Sequence, residues 1–452
     1  MTTFKSINPY DQSVIAEFPL FDDNKIGIVL SNAESAFADW QQTSYKQRSA
    51  LFLALAKILR ENKEKYALNI SLEMGKILKE SKAEVEKCAV CCEYYAEHGE
   101  QFLKDEIINS DAKRSLAAFD PIGAVFAIMP WNFPFWQVIR FAVPAIMAGN
   151  VSLLKHAKNV TGCGKYLEEA FIEAGFPDHV FQFLIIDSSK SEKIIQHDIV
   201  QGVTLTGSEA AGSSVASLAG KYIKKSVMEL GGSDPFIILE DADIPLAAKT
   251  ASQSRMQNAG QSCIAAKRFI VIERIKNDFI EAFKNEVEKI KQGNQLDGNT
   301  TMGPVSSIKA ADDIYEQQNR SISSGAELIT GGNRDLANYQ PTIIANVNEG
   351  MPAFEEELFG PVASVITVKN DDEAISIANR HRYGLGSTIF TKDTEKAYRL
   401  ARKINSGSVF INAMVKSDPR LPFGGVKKSG YGRELSHHGL KEFTNVKTIY
   451  ID

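Results

Sequence analysis

Cys263 lies in a sequence setting that suits a reactive thiol. Residues 258–262 before it are small or polar, whereas apolar side chains usually surround an inert core cysteine. Gly260 permits close approach of the backbone. Amides or a nearby cation would lower the pKa of the thiol and make it nucleophilic. The alternative is a buried cysteine without chemistry, but the flanking residues favour the nucleophile.

Two other polar residues follow predicted strands. Glu229 ends an apolar stretch and precedes two glycines, so its carboxylate suits a general base whose pKa desolvation raises. The alternative is a salt bridge to a lysine. Asn132 lies in Pro-Trp-Asn-Phe-Pro at residues 130–134, where its amide could stabilise an oxyanion by about 3 to 4 kcal/mol. The alternative is a turn-capping asparagine.

A phosphate site is indicated at residues 206–212, where the chain passes from a predicted strand into a helix. Free N–H groups at such a helix N-terminus can bind a phosphate, although this segment is not the G-x-G-x-x-G fingerprint. Cys88, Cys91 and Cys92 have a spacing that resembles metal ligands. They lie in a predicted helix without a second ligand pair, so we predict no metal site.

The elements that position these residues are predicted from hydrophobic periodicity. The first hundred residues are predicted to be helical, with Ser44 and Gln47 at capping-box spacing. From residue 115 onward, short β-rich runs alternate with helical ones. The predicted strands of a first lobe are 125–129, 151–154, 180–184, 203–205 and 225–228. Those of a second lobe are 235–239, 268–272, 326–329, 362–368, 387–390 and 408–411.

This alternation predicts an α/β protein with two mostly parallel sheets, joined near residues 229–232. The final segment, 444–452, is β-prone and is expected to pair with another strand, a partner subunit being one source of it. The chain has 452 residues, 44% of them hydrophobic and 24% charged, which is enough to build large cores.

The composition also excludes some partners. The formal net charge is −5 and the charges are interspersed, so no nucleic-acid groove is predicted. No stretch reaches the ~18 consecutive apolar residues of a membrane span, and the first residues lack the apolar core of a secretory signal. The five cysteines are few and odd in number. We therefore expect a cytoplasmic protein with reduced thiols and no membrane partner.

Six motifs taken together resemble the aldehyde dehydrogenase superfamily, in that family's order. They are Pro-Trp-Asn-Phe-Pro at 130–134, Leu-Thr-Gly-Ser at 205–208, Glu-Leu-Gly-Gly at 229–232, Gly-Gln-Ser-Cys at 260–263, Glu-Leu-Phe-Gly-Pro at 357–361 and Pro-Phe-Gly-Gly at 422–425. Residues 412–425 and 428–434 resemble the short bacterial succinate-semialdehyde dehydrogenases in particular.

The resemblance implies two Rossmann-like lobes, one binding the cofactor and one catalytic, plus a small β oligomerisation arm. It implies a homodimer or a homotetramer. Three regions follow from it: an NAD(P)-binding domain at 1–105 and 121–230, a catalytic domain at 231–435, and the arm at 106–120 and 436–452.

The resemblance also implies a mechanism. Cys263 would attack the aldehyde, and Asn132 with the Cys263 backbone N–H would hold the oxyanion. After hydride transfer to the nicotinamide, Glu229 would activate the water that hydrolyses the thioester. Acyl transfer to coenzyme A is the competing outcome in the superfamily, and a carboxylate at Glu229 counts against it.

The implied cofactor is NAD or NADP. Ser208 would lie at the pyrophosphate, Lys155 at the adenosine ribose and Glu357 at the nicotinamide ribose. Where NAD-selective relatives carry a glutamate, this chain has Lys158. A cation there would attract a 2′-phosphate, so NADP is predicted to be accepted, with the preference left open. The implied cofactor-binding residues are Trp131, Lys155, Lys158, Gly207, Ser208, Gly231, Glu357 and Phe359.

Substrate choice is predicted from Arg140, which stands where carboxylate-binding members have an arginine. Its alternative is an ion pair. Longer succinate-semialdehyde dehydrogenases have a second arginine where this chain has Gln257, so Arg255 or a residue near Ser417 (Lys416, Ser417 itself or Arg420) is expected to compensate. The predicted substrate-binding residues are Arg140, Trp136, Arg255, Ser417 and Phe423.

The leading hypothesis is oxidation of a short carboxy-aldehyde, succinate semialdehyde or one like it. A second enzyme hypothesis is another small aldehyde, such as lactaldehyde or an aminoaldehyde. A third is a non-catalytic nucleotide-binding relative, against which the joint presence of Cys263, Glu229 and Asn132 argues.

Overall fold

The structure, a computed structural model, describes residues 3–452. Its α-helices are α1 (Asp23–Trp40), α2 (Tyr45–Glu61), α3 (Lys63–Met74), α4 (Leu78–Phe102), α5 (Trp136–Met147), α6 (Thr161–Glu173), α7 (Ser191–Ile195), α8 (Glu209–Lys221), α9 (Ile244–Met256), α10 (Lys276–Val287), α11 (Ile308–Ser323), α12 (Pro352–Glu355), α13 (Asp371–Arg380), α14 (Thr394–Ala401) and α15 (Ser436–Glu442).

The strands are β1 (Thr3–Ile7), β2 (Val14–Pro19), β3 (Glu106–Ile108), β4 (Arg114–Pro121), β5 (Ala124–Met129), β6 (Val151–His156), β7 (Phe181–Phe183), β8 (Val200–Thr206), β9 (Lys225–Glu229), β10 (Asp234–Ile238), β11 (Ala266–Ile272), β12 (Glu327–Thr330), β13 (Arg334–Asp335), β14 (Asn338–Tyr339), β15 (Thr342–Ala345), β16 (Val362–Val368), β17 (Tyr383–Gly384), β18 (Thr388–Phe390), β19 (Phe410–Ile411), β20 (Val426–Lys427), β21 (Gly430–Tyr431) and β22 (Thr444–Ile451).

The first large sheet has the strand order β21-β9-β8-β5-β6-β7. Strands β5 to β9 run parallel, and β21 joins the edge antiparallel to β9. Asn132 follows β5, Thr206 ends β8 and Glu229 ends β9. Because the carboxyl ends of parallel strands meet at one edge of a sheet, these three residues lie along the same edge.

The second large sheet has the order β12-β15-β16-β11-β10-β18-β19 and is parallel except for β12. Its inner strands are almost entirely buried and pack in their own hydrophobic core, separate from the core of the first sheet, whereas the edge strands β12 and β19 are partly exposed. Cys263 lies between α9 and β11, on the loop that enters the central strands of this sheet. The predicted α/β fold with two parallel-sheet lobes is confirmed, whereas the domain boundaries stay a prediction.

A third, small sheet has the order β22-β4-β3. The β-prone C-terminal segment forms β22 and pairs along its whole length with β4, from Thr444 opposite Pro121 to Ile451 opposite Arg114. Its partner strand therefore belongs to the same chain.

The prediction that the first hundred residues are all helical is wrong at the N-terminus. Strands β1 and β2 pair antiparallel there, with a register irregularity at Ile7. Both strands are short and mostly exposed, so they lack the apolar alternation that identifies a strand in sequence. The capping box of Ser44 and Gln47 is present at the start of α2. Among residues 3–452, no helix is both long enough and apolar enough to span a membrane.

Candidate active site

A cavity of about 260 Å³ lies between the carboxyl edge of the first sheet and the Cys263 loop. Side chains from both lobes line it, so it lies at their junction. The lining residues are Pro130, Trp131, Asn132, Gln137, Thr206, Gly207, Ser208, Leu230, Gly231, Cys263, Glu357 and Phe359. The cavity thus brings the predicted nucleophile and the predicted amide donor together with most of the predicted cofactor residues.

The loop before Cys263 is an unusual left-handed turn. Asn258, Ala259 and Gly260 have φ values of 53°, 50° and 72°, a region that costs energy for residues with a Cβ. Gly260 is required, because a Cβ there would overlap the Gly360 carbonyl. Such a turn persists only where its surroundings hold it.

Arg255 is one of the groups that hold this turn. Its side chain is fully buried and donates to the carbonyls of Ala266 at 3.1 Å, Gly260 at 2.6 Å and Leu358 at 3.3 Å, and also to that of Gly360. Both terminal nitrogens of the guanidinium donate to main-chain carbonyls, and Arg255 does not line the cavity. The prediction that Arg255 binds substrate is therefore corrected: the side chain holds the loop that carries Cys263.

The Asn132 amide points at the same loop. Its Nδ2 donates to the carbonyl of Gln261 at 3.0 Å, while Asn258 Nδ2 donates to the Asn132 carbonyl at 2.9 Å. An amide nitrogen has two hydrogens, so one remains for a ligand. Among residues 3–452, no acceptor takes the backbone N–H of Cys263. Two donors are thus available beside the Cys263 sulfur.

His156 fixes the turn that carries Asn132, a role that sequence reasoning missed. Its Nε2 lies 2.9 Å from the Pro134 carbonyl, and its Nδ1 accepts the Ala157 N–H at 3.0 Å. Burial lowers the pKa of His156 to about 4, so the ring is neutral at neutral pH. The neutral tautomer that satisfies both contacts carries its proton on Nε2 and donates to Pro134.

Lys267 joins Cys263 to Glu357 and was also missed. Its buried Nζ donates to the carbonyls of Ser262 at 2.9 Å and Cys263 at 2.8 Å, and lies 3.2 Å from Glu357 Oε1. Burial raises the pKa of the Cys263 thiol to about 12, while the charges of Arg140 and Lys267 oppose that rise. Without ligands, the thiol is therefore protonated at neutral pH.

Glu229 is buried and has no ion-pair partner among the described residues, so the salt bridge to a lysine is absent there. Neither carboxylate oxygen has a hydrogen-bond donor within residues 3–452. A Cβ added to Gly424 would lie 2.7 Å from Oε1, so the carboxylate faces that glycine, and Glu229 is not among the cavity-lining residues. Burial, with the nearby Glu434, raises the pKa of Glu229 well above its usual value.

The cofactor side of the cavity is built on the start of α8. Ser208 is the N-cap of this helix, and its Oγ accepts the Ala211 N–H at 3.3 Å. Trp131 and Phe359 meet edge to face, with ring centroids 5.8 Å apart. A Cβ on Gly231 would overlap Glu357 Oε2, so the absence of a side chain there leaves the carboxylate in place.

Lys155 and Lys158 lie beyond this cavity, near the end of β6. Lys155 is partly buried, and burial lowers its pKa, opposed by the charge of Asp187. Lys158 is exposed and begins the turn of 3₁₀ helix at Lys158–Val160. Its side chain is open to solvent, as a group that contacts a phosphate of an incoming ligand must be.

Arg140 is buried on α5 and pairs with Glu434, the ion pair that was its alternative interpretation. Its Nη2 donates to Thr206 Oγ1 at 3.2 Å, and its guanidinium lies 4.5 Å from the ring centroid of Phe423. Nη1 donates no hydrogen bond to residues 3–452, since Nε faces Glu434 and Nη2 faces Thr206. Arg140 therefore has one structural face and one free donor.

Trp136 and Ser417 meet on the same side of α5. The indole N–H of Trp136 donates to Ser417 Oγ at 3.0 Å, and both residues are buried. Two residues that were expected to replace the missing second arginine do not lie here. Lys416 is exposed, and Arg420 is exposed and bound to Asp418 at 2.7 and 2.8 Å.

Comparison with known proteins identifies the family to which the chain belongs. A model of the aldehyde dehydrogenase family matches residues 1–449. The chain is 44% identical over 452 residues to the NADP(+) succinate-semialdehyde dehydrogenase 1 of Mycobacterium tuberculosis, covering 99% of each chain. It is 42% identical over 450 residues to the NAD(P)+ succinate semialdehyde dehydrogenase Sad of Escherichia coli K12, covering 99% of this chain and 97% of that one.

A solved structure gives the same result. The crystal structure of succinic semialdehyde dehydrogenase from Streptococcus pyogenes in complex with NADP+ superimposes with a TM-score of 0.97, at 38% identity and 99% coverage of both chains. The family match spans almost the whole chain, and the relatives agree with it along their full length. The chain therefore belongs to the aldehyde dehydrogenase family.

Proposed function

We propose that this protein oxidises succinate semialdehyde, or a similar short carboxy-aldehyde, to the carboxylic acid with NADP or NAD. The observation that carries the proposal is the single cavity that joins the Cys263 thiol, the Asn132 amide and the N-terminus of α8. Similarity to enzymes named for succinate semialdehyde supports the substrate class.

The first step is attack of the Cys263 sulfur on the aldehyde carbon. The thiol gives up its proton to solvent water, the C–S bond forms, and the carbonyl oxygen becomes an oxyanion. Asn132 Nδ2 and the free Cys263 N–H are the donors that stabilise this charge. Because the pKa of the free thiol is about 12, deprotonation requires charge or proton acceptors supplied on binding.

The residues of the cavity fit a nicotinamide dinucleotide. The α8 N-terminus offers unpaired N–H groups to a pyrophosphate. Lys267 and the Gly232 N–H hold Glu357 Oε1, and Oε2, which lies over Gly231, is left to meet a ribose hydroxyl. When bound, this cofactor supplies the hydride acceptor that converts the thiohemiacetal into a thioester. Trp131 and Phe359 form an aromatic wall of the site.

Hydrolysis of the thioester is assigned to Glu229. Its raised pKa makes the carboxylate a strong enough base to take a proton from water, and no donor in the described residues competes for its oxygens. The side chain must turn from Gly424 toward the cavity to do so. Hydroxide then adds to the thioester, the C–S bond breaks, and the thiolate and the carboxylic acid are released.

The test is a comparison of kcat/KM for succinate semialdehyde, butanal, lactaldehyde and an aminoaldehyde, each with NADP and with NAD. Succinate semialdehyde is expected to exceed butanal by at least about 30-fold, because a buried Arg–carboxylate pair contributes about 2 to 5 kcal/mol. Cys263→Ser is expected to abolish oxidation of all four. Equal kcat/KM for succinate semialdehyde and butanal would overturn the substrate assignment.

We propose that the small third sheet joins chains into a homodimer or a homotetramer. Its edge strand β22 exposes Val446, Tyr450 and Ile451, and its other edge, β3, exposes Ile107 and Ile108. Exposed apolar edge strands are templates for pairing with another chain. Light scattering measures the mass, and removal of the last residues of β22 is expected to give monomers.

We propose a cytoplasmic site of action from the cysteines. All five are free, and Cys88, Cys91, Cys92 and Cys163 are fully buried as thiols. Unpaired thiols are typical of a reducing compartment. Localisation of a tagged full-length protein tests this proposal.

A further inference from the structure

Lys87 lies on α4 beside the substrate residues, and no motif pointed to it. Its Nζ donates to Ser417 Oγ at 2.7 Å and lies 4.0 Å from the ring centroid of Trp136. Ser417 is thus held between two donors, Lys87 and the Trp136 indole. These three residues form a cluster, which we call the Lys87 cluster.

The Lys87 cluster has more donors than acceptors. Ser417 Oγ accepts both contacts, so its own O–H remains to donate, and the ammonium has N–H groups beyond the one that Ser417 takes. Among residues 3–452, Lys87 forms no ion pair with a carboxylate. The neighbouring Arg140 adds a further donor at Nη1, since its Nε and Nη2 face Glu434 and Thr206.

The one carboxylate close by on the same helix is already engaged. Glu84 pairs with Lys76 and accepts the backbone N–H groups of Phe135 at 2.8 Å and Trp136 at 3.0 Å. It is therefore not available to neutralise Lys87. Partial burial lowers the pKa of Lys87 to about 8, and the Arg140 charge contributes, so the ammonium lies in an environment that favours an added anion.

Trp136 and Arg140 lie one turn apart on α5, and Gln137, next to Trp136, lines the cavity that contains Cys263, so the Lys87 cluster lies beside that cavity. An aldehyde whose carbonyl meets Cys263 would extend its far end past Arg140. We propose that Lys87, with Ser417 and Arg140 Nη1, binds the terminal carboxylate of the substrate. Lys87 would then supply the second cation that longer succinate-semialdehyde dehydrogenases provide with an arginine, at the position where this chain has Gln257. This inference rests on the proposed function, because it concerns the far end of the same substrate.

The experiment compares kcat/KM for succinate semialdehyde and butanal in the wild type, Lys87→Met and Lys87→Arg, at saturating NADP. Lys87→Met keeps the length of the side chain and removes the charge. It is expected to lower kcat/KM for succinate semialdehyde by about 10- to 100-fold, mainly by raising KM, because the loss of one hydrogen bond to a charged group weakens binding by about this factor. Butanal is expected to change by less than about two-fold, and Lys87→Arg is expected to recover most of the loss.

Lys82→Met is the matched control. Lys82 lies on the same helix but pairs with Glu64 at 2.7 Å and is half-exposed. This variant is expected to leave both substrates unchanged, because exposed ion pairs contribute little. Butanal oxidation by each variant verifies that it folds.

A structural role for Lys87 would lower kcat/KM for both aldehydes alike, and this result, or no change for either, would overturn the inference. Calorimetric titration with succinate is a second measurement: its affinity is expected to fall about ten-fold or more in Lys87→Met and to stay constant in Lys82→Met. If the wild type itself does not prefer succinate semialdehyde over butanal, the proposed function fails before any variant is made. If the wild type prefers succinate semialdehyde and Lys87→Met keeps that preference, the proposed function stands and the inference does not.

Discussion

Glu80 accepts the backbone N–H of Asn258 with both carboxylate oxygens, at 3.3 and 3.1 Å. Asn258 is the first left-handed residue of the turn that leads to Cys263. The carboxylate comes from the start of α4, in the other lobe, so the contact fixes the catalytic loop against the first sheet. Glu80 is thus a positioning residue for Cys263, the proposed nucleophile.

Loss of this acceptor is expected to impair chemistry more than binding. Glu80→Ala leaves the Asn258 N–H without its partner and is expected to lower kcat by about ten-fold, since an unmade buried hydrogen bond costs about 1 to 3 kcal/mol. Glu80→Gln keeps one oxygen in place and is expected to retain most of kcat. Steady-state kinetics of the two variants provides the measurement, and equal activity of Glu80→Ala and the wild type would contradict it.

Glu80 also makes stability depend on pH. Burial raises its pKa from the usual 4.5 to about 7, so the folded state binds the proton more tightly than the unfolded state. Its contribution to stability is full below pH 4.5 and is lost as the pH rises through about 7. Between pH 5 and 8 the free energy of unfolding of the wild type is expected to fall by on the order of 1 to 2 kcal/mol relative to that of Glu80→Gln. The Tm of the wild type minus that of Glu80→Gln should therefore decrease as the pH rises from 5 to 8. A Tm difference that stays constant over this range would contradict the raised pKa of Glu80.

The fold was predictable because its strands are continuous apolar runs between helical stretches. The strand that precedes Asn132 was expected at 125–129 and is Ala124–Met129. Ser208 is the N-cap of α8, the helix that was expected to begin after residues 206–208. Buried parallel strands read as apolar runs, and caps as short polar signals, so both are local properties of the sequence.

The residues that sequence reasoning missed act over long distances. Lys87 contacts Ser417, 330 positions away, and Glu80 contacts Asn258, 178 positions away. In the sequence, a lysine or a glutamate within a charged helix is expected to lie on the solvent-exposed face. Only the packing of α4 against the loops that carry Asn258 and Ser417 shows that these two side chains are in contact with other residues. Arg255 was misread for the opposite reason: its charge suggested a ligand, but main-chain carbonyls surround it.

Cys263 is expected to show the reactivity of a high-pKa thiol in the enzyme without ligands. With a pKa of about 12, its thiolate fraction rises about ten-fold for each pH unit through pH 7 to 10, whereas an ordinary thiol levels off above about 8.5. The rate of alkylation by iodoacetamide, followed by mass spectrometry, should rise without a plateau. The other cysteines are fully buried, so Cys263→Ser should take up no label. A plateau near pH 8 to 9 would refute the expectation.

Lys158 is expected to favour NADP. Its exposed ammonium can meet a 2′-phosphate, and Lys158→Glu reverses that charge. The variant is expected to lower kcat/KM for NADP by about ten-fold or more while the value for NAD stays the same or rises, as for a charge-assisted contact. Lys165→Glu makes the same charge change on the exposed side of α6 and serves as the control. An equal decrease in kcat/KM for NADP and for NAD would mean that Lys158 does not contact the 2′-phosphate.

Glu229→Gln separates the two proton-transfer roles that a buried carboxylate could have beside Cys263. If Glu229 acts on the water that hydrolyses the thioester, the variant still forms the thioester, and each active site releases one equivalent of NADPH in a burst before a steady state slowed by about 10²- to 10⁴-fold. If Glu229 instead removes the proton from the thiol, hydride transfer is slowed as well and the burst disappears. Its position against Gly424, outside the cavity that contains Cys263, favours a late role, since the side chain must move before it acts. Rapid-mixing absorbance at the NADPH band, with wild type and Cys263→Ser mixed in parallel, distinguishes these outcomes, and a slow reaction without a burst would exclude the hydrolytic assignment.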